Sequence, residues 1–113
     1  MKIVVAMEDN RVAAHFGRCP HYALFTVEGE EIREKEVVPN PGHQPGFLPK
    51  YLAGLGVKCV ITGGIGARAA SLFQEQGIQV ISGVSGPVEE VIRAYLRGEL
   101  KDRGEICRHQ HRD

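Results

Sequence analysis

A chain of 113 residues is long enough for one domain with a real core and too short for a second lobe. Its 14 basic and 14 acidic residues cancel to a formal net charge of zero, so the basic excess that marks nucleic-acid binding is missing. The opening apolar run breaks at Glu8-Asp9, too soon for a secretory leader, and no stretch is long and apolar enough for a membrane span; the expected setting is cytoplasmic, without membrane or nucleic-acid partners. Three cysteines, Cys19, Cys59 and Cys107, make no disulfide framework. Cys59 sits inside an apolar run and reads as a small core residue.

Residues 2–7 form a continuous apolar run and predict a buried strand, followed by a turn at 8–10. Residues 12–21 lack a clean period and predict a loop with a short extended piece near Ala13. Aromatic and branched residues at 22–27 predict a strand, Gly29 a hairpin turn, and the charge-alternating 32–38 a return strand with one wetter face. The Pro- and Gly-rich stretch 39–46, with His43, is a loop long enough to be functional or mobile.

Residues 47–55 predict a helix, with Pro49 in its first turn, Leu48, Tyr51, Leu52 and Leu55 on one face, and Gly56 as its stop. Residues 57–62 predict the central strand. Residues 67–76 predict a helix with Ala69, Leu72 and Phe73 inward, and 78–82 a further strand. Pro87 opens the last helix, where Glu89 and Glu90 suit the positive end of the dipole and Val88, Val91, Ile92, Tyr95 and Leu96 follow a helical stripe. The alternation predicts an α/β fold over 1–100: a mixed five-stranded sheet with helices on both faces. Residues 101–113 are polar and predict a partly disordered tail.

The chain is organised around Val60-Ile61-Thr62-Gly63-Gly64-Ile65-Gly66-Ala67-Arg68-Ala69, a strand that ends in glycines and runs straight into a helix. Glycine lets backbone N–H groups approach a bound group, and a helix start adds unpaired donors and a positive dipole end. This suits an anion, although a plain strand-to-helix turn would use the same residues. A dinucleotide is disfavoured, because the next strand ends without the carboxylate that would take the ribose.

Two further clusters carry metal-type side chains. His15-x-x-x-Cys19-x-His21 lies in the first loop, and Cys107-x-His109-x-His111 in the tail. Neither has a standard structural zinc spacing, yet thiolate and imidazole suit copper, zinc or iron–sulfur chemistry. Arg18 and Arg68 could each offer a donor fork to an oxyanion or a sulfide-rich cluster, or be ordinary surface arginines. No Ser, Cys or carboxylate constellation for catalysis shows in the sequence: Ser71, Ser82 and Ser85 have no histidine nearby, and Glu8-Asp9 is the single carboxylate pair beside a core strand end.

Three motifs in order, His15-Phe16-Gly17-Arg18-Cys19-Pro20, the glycine stretch 60–69, and Tyr95-Leu96-Arg97-Gly98-Glu99-Leu100, give the chain a resemblance to the dinitrogenase iron–molybdenum cofactor biosynthesis family. That resemblance implies a ribonuclease-H-like fold and carriage of preformed metal–sulfur clusters in place of catalysis. The cargo it implies is an iron–molybdenum–sulfur or molybdenum–copper–sulfur cluster, held non-covalently or by weak ligation. By position it implies His15, Phe16, Gly17 and Arg18 as one wall of a cluster site and Gly63, Gly64, Gly66 and Arg68 as the other. Cys19 and His21 would be further contacts; Cys107, His109 and His111 lie in the tail outside the family pattern and either add metal affinity or are incidental.

The expectation is therefore a cytoplasmic carrier, monomeric or weakly dimeric, not an enzyme, whose partners are cluster donor and acceptor proteins. The rival readings are a small-molecule or nucleotide-binding regulatory module on the Gly63–Gly66 turn, a metal-dependent hydrolase, and a metal buffer acting through the tail.

Overall fold

The structure, a computed structural model, describes residues 1–40 and 47–100, with the side chains of Phe47 and Leu48 outside that description. Strands β1 (Lys2–Glu8), β2 (Arg11–Val12), β3 (His21–Glu28) and β4 (Glu31–Pro39) come first. Helix α1 (Phe47–Gly54), β5 (Val57–Ile61), α2 (Ala67–Glu75), β6 (Gln79–Ile81) and α3 (Val88–Leu96) follow. The sheet runs β4-β3-β1-β5-β6, with β2 added to β1. β1 is antiparallel to β2 and β3, and β3 to β4, whereas β1, β5 and β6 are mutually parallel.

Two cores follow from strand alternation. Val4, Ala6, Tyr22, Leu24, Val57 and Val60 pack on one face with Leu52 of α1 and Ala70 and Phe73 of α2. Ile3, Val5, Met7, Phe25, Cys59 and Ile61 pack on the other with Val88, Val91 and Ile92 of α3. β1 is buried on both faces, which is why its sequence is a continuous apolar run.

Several expectations change. The sheet has six strands, because Arg11–Val12 folds back on β1 as a two-residue hairpin arm. The turn residues Asp9 and Asn10 take φ of 53° and 65°, a left-handed pair that short polar side chains tolerate and that matches the strand twist. The centre of the sheet is β1, not the 57–62 strand, since the meander adds β3 and β4 on one side of β1 and the crossovers add β5 and β6 on the other. In α2 the buried residues are Ala70 and Phe73, with Ala69 packed only in part. Tyr51 is exposed, so it is not part of the buried face of α1. His43 and the tail 101–113 lie outside the described residues.

Candidate functional site

The parallel strands β1, β5 and β6 deliver their carboxyl ends to one rim of the sheet, where ligands of open α/β sheets collect. There the chain leaving β2 lies against the glycine turn that follows β5. Gly63 N–H donates to the Ala13 carbonyl at 3.0 Å, Gly64 N–H to Ala14 at 2.6 Å, and Phe16 N–H back to Gly64 at 2.9 Å. His15 and Gly64 pair as an isolated parallel bridge. The turn is braced from its other side by Gly83 N–H on the Gly63 carbonyl at 2.6 Å and Val84 N–H on Thr62 at 3.1 Å. The histidine loop and the glycine turn are thus side by side.

The reason for glycine at 63 is this close approach. A Cβ there would sit 2.7 Å from the Ala13 oxygen, 2.9 Å from the Ala14 oxygen and 3.0 Å from the Ala14 Cα, all backbone atoms. The expectation was that the glycine amides face a ligand; instead those of Gly63 and Gly64 already donate to the protein's own carbonyls. The donors left for an anion belong to α2. Gly66 is its N-cap, without a side-chain cap, and the first intrahelical bond is Ala70 N–H to the Gly66 carbonyl at 3.0 Å. The amides of Ala67, Arg68 and Ala69 therefore have no intrahelical acceptor, and the helix dipole adds partial positive charge at the same end. Gly66, Ala67 and Arg68 are exposed, and a Cβ at Gly66 would meet nothing within 4 Å.

The facing loop is anchored from below. Its single turn of 3-10 helix, Phe16–Arg18, buries the Phe16 ring 5.2 Å from the ring of Tyr22 and 5.2 Å, edge-on, from that of Phe73 in α2. The Phe16 carbonyl accepts from the Tyr22 hydroxyl at 2.9 Å and the Cys19 thiol at 3.2 Å. Asn40 Nδ2 donates to the Gly17 carbonyl at 3.2 Å and the Cys19 carbonyl at 2.8 Å. With Phe16 pinned inward, His15 and Arg18 are left exposed at the rim. Among the described residues neither Arg18 nor Arg68 takes part in a salt bridge.

The site residues named from the sequence therefore separate. His15, Arg18, Gly66 and Arg68 share the rim; Gly17, Gly63 and Gly64 shape it; Phe16 is its buried anchor. Cys19 is 2% exposed, and burial pushes its thiol pKa up, only partly opposed by the hydrogen bond with Tyr22. A buried neutral thiol is a poor metal ligand, which removes Cys19 from the exposed ligand set. His21 is exposed at the start of β3, in register between Met7 and Pro39. Among the described residues no group of three or more His, Cys, Asp or Glu is placed to hold a metal ion. Cys107, His109 and His111 lie outside the described residues.

Sequence reasoning missed Thr62, Tyr22 and Asn40. Thr62 is fully buried at the end of β5 and its hydroxyl donates to the Gly64 carbonyl at 3.3 Å. A polar residue closing an apolar strand just before glycines was a readable signal; Asn40 offered none. A cleft of about 390 Å³ lies at the far end of the sheet, between Glu30, Glu31 and Ile32 of the hairpin and Arg93, Leu96 and Arg97 of α3. It shares no residue with the rim.

The family described as dinitrogenase iron-molybdenum cofactor matches residues 1–98, which takes in every described strand and helix. The chain belongs to the dinitrogenase iron–molybdenum cofactor family. An uncharacterized protein of Methanocaldococcus jannaschii is 34% identical over 106 residues, which covers 89% of this chain and 90% of that one. The crystal structure of a protein designated PH0822 superposes with a TM-score of 0.84 at 37% identity, over 93% of this chain and 96% of that one. The apo form of the orange protein from Desulfovibrio gigas shares the fold at a TM-score of 0.77 and 24% identity, over 92% of this chain and 93% of that one. His15 and Arg18, on the loop bridged to Gly64, and Arg68, in the first turn of α2, are all exposed.

Proposed function

We propose that the protein is a carrier for an anionic metal–sulfur cluster, binding it for storage, delivery or assembly without transforming it. The observation that carries this reading is the gathering of exposed His15, Arg18 and Arg68 with the uncapped start of α2 across a seam fixed by backbone hydrogen bonds. The donor set suits such a cargo. Two guanidinium groups and the first-turn amides attract a sulfide-rich anion, and one imidazole adds a ligand or a hydrogen bond. With no exposed thiolate among the described rim residues, the cluster would be held weakly and exchange readily, as delivery requires.

Family membership supports an iron–molybdenum–sulfur cargo, with a molybdenum–copper–sulfur cluster as its near chemical equivalent. We assign the element order, an antiparallel meander followed by parallel crossover strands, to the ribonuclease-H-like class. The same reading makes the protein cytoplasmic, a monomer or weak dimer, and a partner of cluster donor and acceptor proteins; among the described residues no helix is long and apolar enough to cross a membrane. The regulatory alternative cannot use the Gly63 and Gly64 amides, which are taken, and would rest on the same first turn of α2.

Anaerobic purification with metal and sulfide analysis, beside a visible spectrum, tests the reading. Stoichiometric molybdenum, iron or copper with sulfide, lost in a His15→Ala, Arg68→Ala double variant that stays folded, is the expected result. A colourless protein that cannot be reconstituted would overturn it.

A further inference from the structure

β4 is nine residues long, and among the described residues it is paired on one side only, by β3. Its other side carries a row of backbone donors and acceptors that no strand among the described residues pairs, a template for another strand. The opposite edge, β6, has three residues and offers far less.

The side chains along β4 restrict what can pair there. Register places Glu34 opposite Thr26 and Glu36 opposite Leu24 on one face, and Lys35 opposite Phe25 and Val37 opposite Ala23 on the other. Lys35 is engaged, 2.6 Å from Glu89 and 5.8 Å above the Phe25 ring. Glu34 and Glu36 join no salt bridge among the described residues, and Val37 is 46% exposed.

A second copy is a poor occupant. Antiparallel pairing about a twofold axis must match residues of the same face, so the register centres on a residue. Centred on Glu34 or Glu36 it sets that carboxylate against its own copy. Centred on Lys35 it sets Lys35 against Lys35 and Glu34 against Glu36 twice. Like charges directly opposite destabilise a sheet. Registers centred nearer the C-terminal end of the strand bring Pro39, which has no N–H, into the ladder, and those centred on Ile32 or Arg33 pair only its first few residues.

We propose that β4 is a docking edge that receives an extended segment of a partner protein with Lys or Arg at alternate positions facing Glu34 and Glu36 and an apolar residue beside Val37. The edge leads to the rim. Pro39 ends β4, and Asn40 at once holds the carbonyls of Gly17 and Cys19 that flank Arg18. A strand seated on β4 thus runs toward the exposed His15 and Arg18, bringing the partner's next residues to the carrier site. The docking itself is independent of what the rim carries.

Amide hydrogen exchange on the full chain tests this, with an octapeptide of alternating lysine and valine as the probe. Outward β4 amides should exchange freely without peptide at any protein concentration, and slow by about tenfold or more at saturating peptide. The Glu34→Gln, Glu36→Gln pair should weaken peptide binding by about tenfold, from two lost cross-strand charge pairs. The same peptide N-methylated at alternate residues keeps its charge but loses its strand donors, and should not bind. Equal binding of the methylated peptide would reduce the effect to diffuse charge attraction and overturn the proposal. So would protection without peptide, which would mean the protein's own chain covers the edge, and protection that grows with protein concentration, which would mean a second copy does.

Discussion

Gly63→Ala puts the structural reasoning under the most direct strain. The new methyl carbon would sit 2.7 and 2.9 Å from two carbonyl oxygens and 3.0 Å from a Cα, none of which can swing aside as a side chain could. Either the 13–16 loop or the glycine turn must retreat. Overpacking of this kind costs about 1–3 kcal/mol. Retreat also stretches the three bonds joining Ala13, Ala14 and Phe16 to residues 63 and 64, each worth about 1 kcal/mol. The expected loss is therefore about 2–4 kcal/mol, or about 10–20 °C in Tm for a domain of this size. Gly66→Ala is the matched control, since its methyl group meets nothing and its φ of −67° suits alanine; the cost is a few tenths of a kcal/mol to about 1 kcal/mol of N-cap preference. Urea unfolding of both variants beside the parent measures the difference. Equal stability of the two variants would refute the claim that the loop and the turn are locked together through Gly63.

Three other outcomes follow from the same geometry. Cys19 and Cys59 are buried, so a thiol reagent at pH 8 should modify neither at a rate faster than unfolding; fast labelling of Cys19 would mean the loop opens. Phe73→Ala removes the ring against which Phe16 stands edge-on and should cost about 3–5 kcal/mol, with faster amide exchange at 16–18. Stability should fall as the pH rises above about 9. Burial raises Cys59 from 9.0 to about 12, and Tyr95 beside it from 10.0 to about 12. Both are acids with raised folded-state pKa values, so the unfolded chain loses their protons first. The slope is at most about 1.4 kcal/mol per pH unit for each group, and less for the partly exposed Tyr95. Denaturant midpoints from pH 6 to pH 11 measure it, and a rise above pH 9 would contradict the assignment.

Much of this fold is readable because its signals are local. The apolar run of β1, the stripe from Val88 to Leu96 and the Gly29 hairpin each announce an element within ten residues. The β2 arm was not readable as a strand, because two residues carry no period; Asp9-Asn10, both tolerant of positive φ, was the available hint. The candidate site was half legible. Its two segments stand out by composition, but their contact joins Ala13, Ala14 and Phe16 to residues 63 and 64, far along the chain, and only folding reveals it. That contact also changes the meaning of residues. Gly63 reads as room for a ligand and is room for the protein's own backbone. Cys19 reads as a ligand, and the fold turns its thiol toward the Phe16 carbonyl.

The central claim is that the histidine loop and the start of α2 form one pocket for an inorganic anion. Amide chemical-shift mapping of the full chain during anaerobic titration with tetrathiomolybdate tests it most directly. The account predicts saturable shifts concentrated at His15, Gly17 and Arg18 together with Gly66, Ala67 and Arg68. Shifts confined to the cleft between Glu30 and Arg97, or none at all, would contradict it.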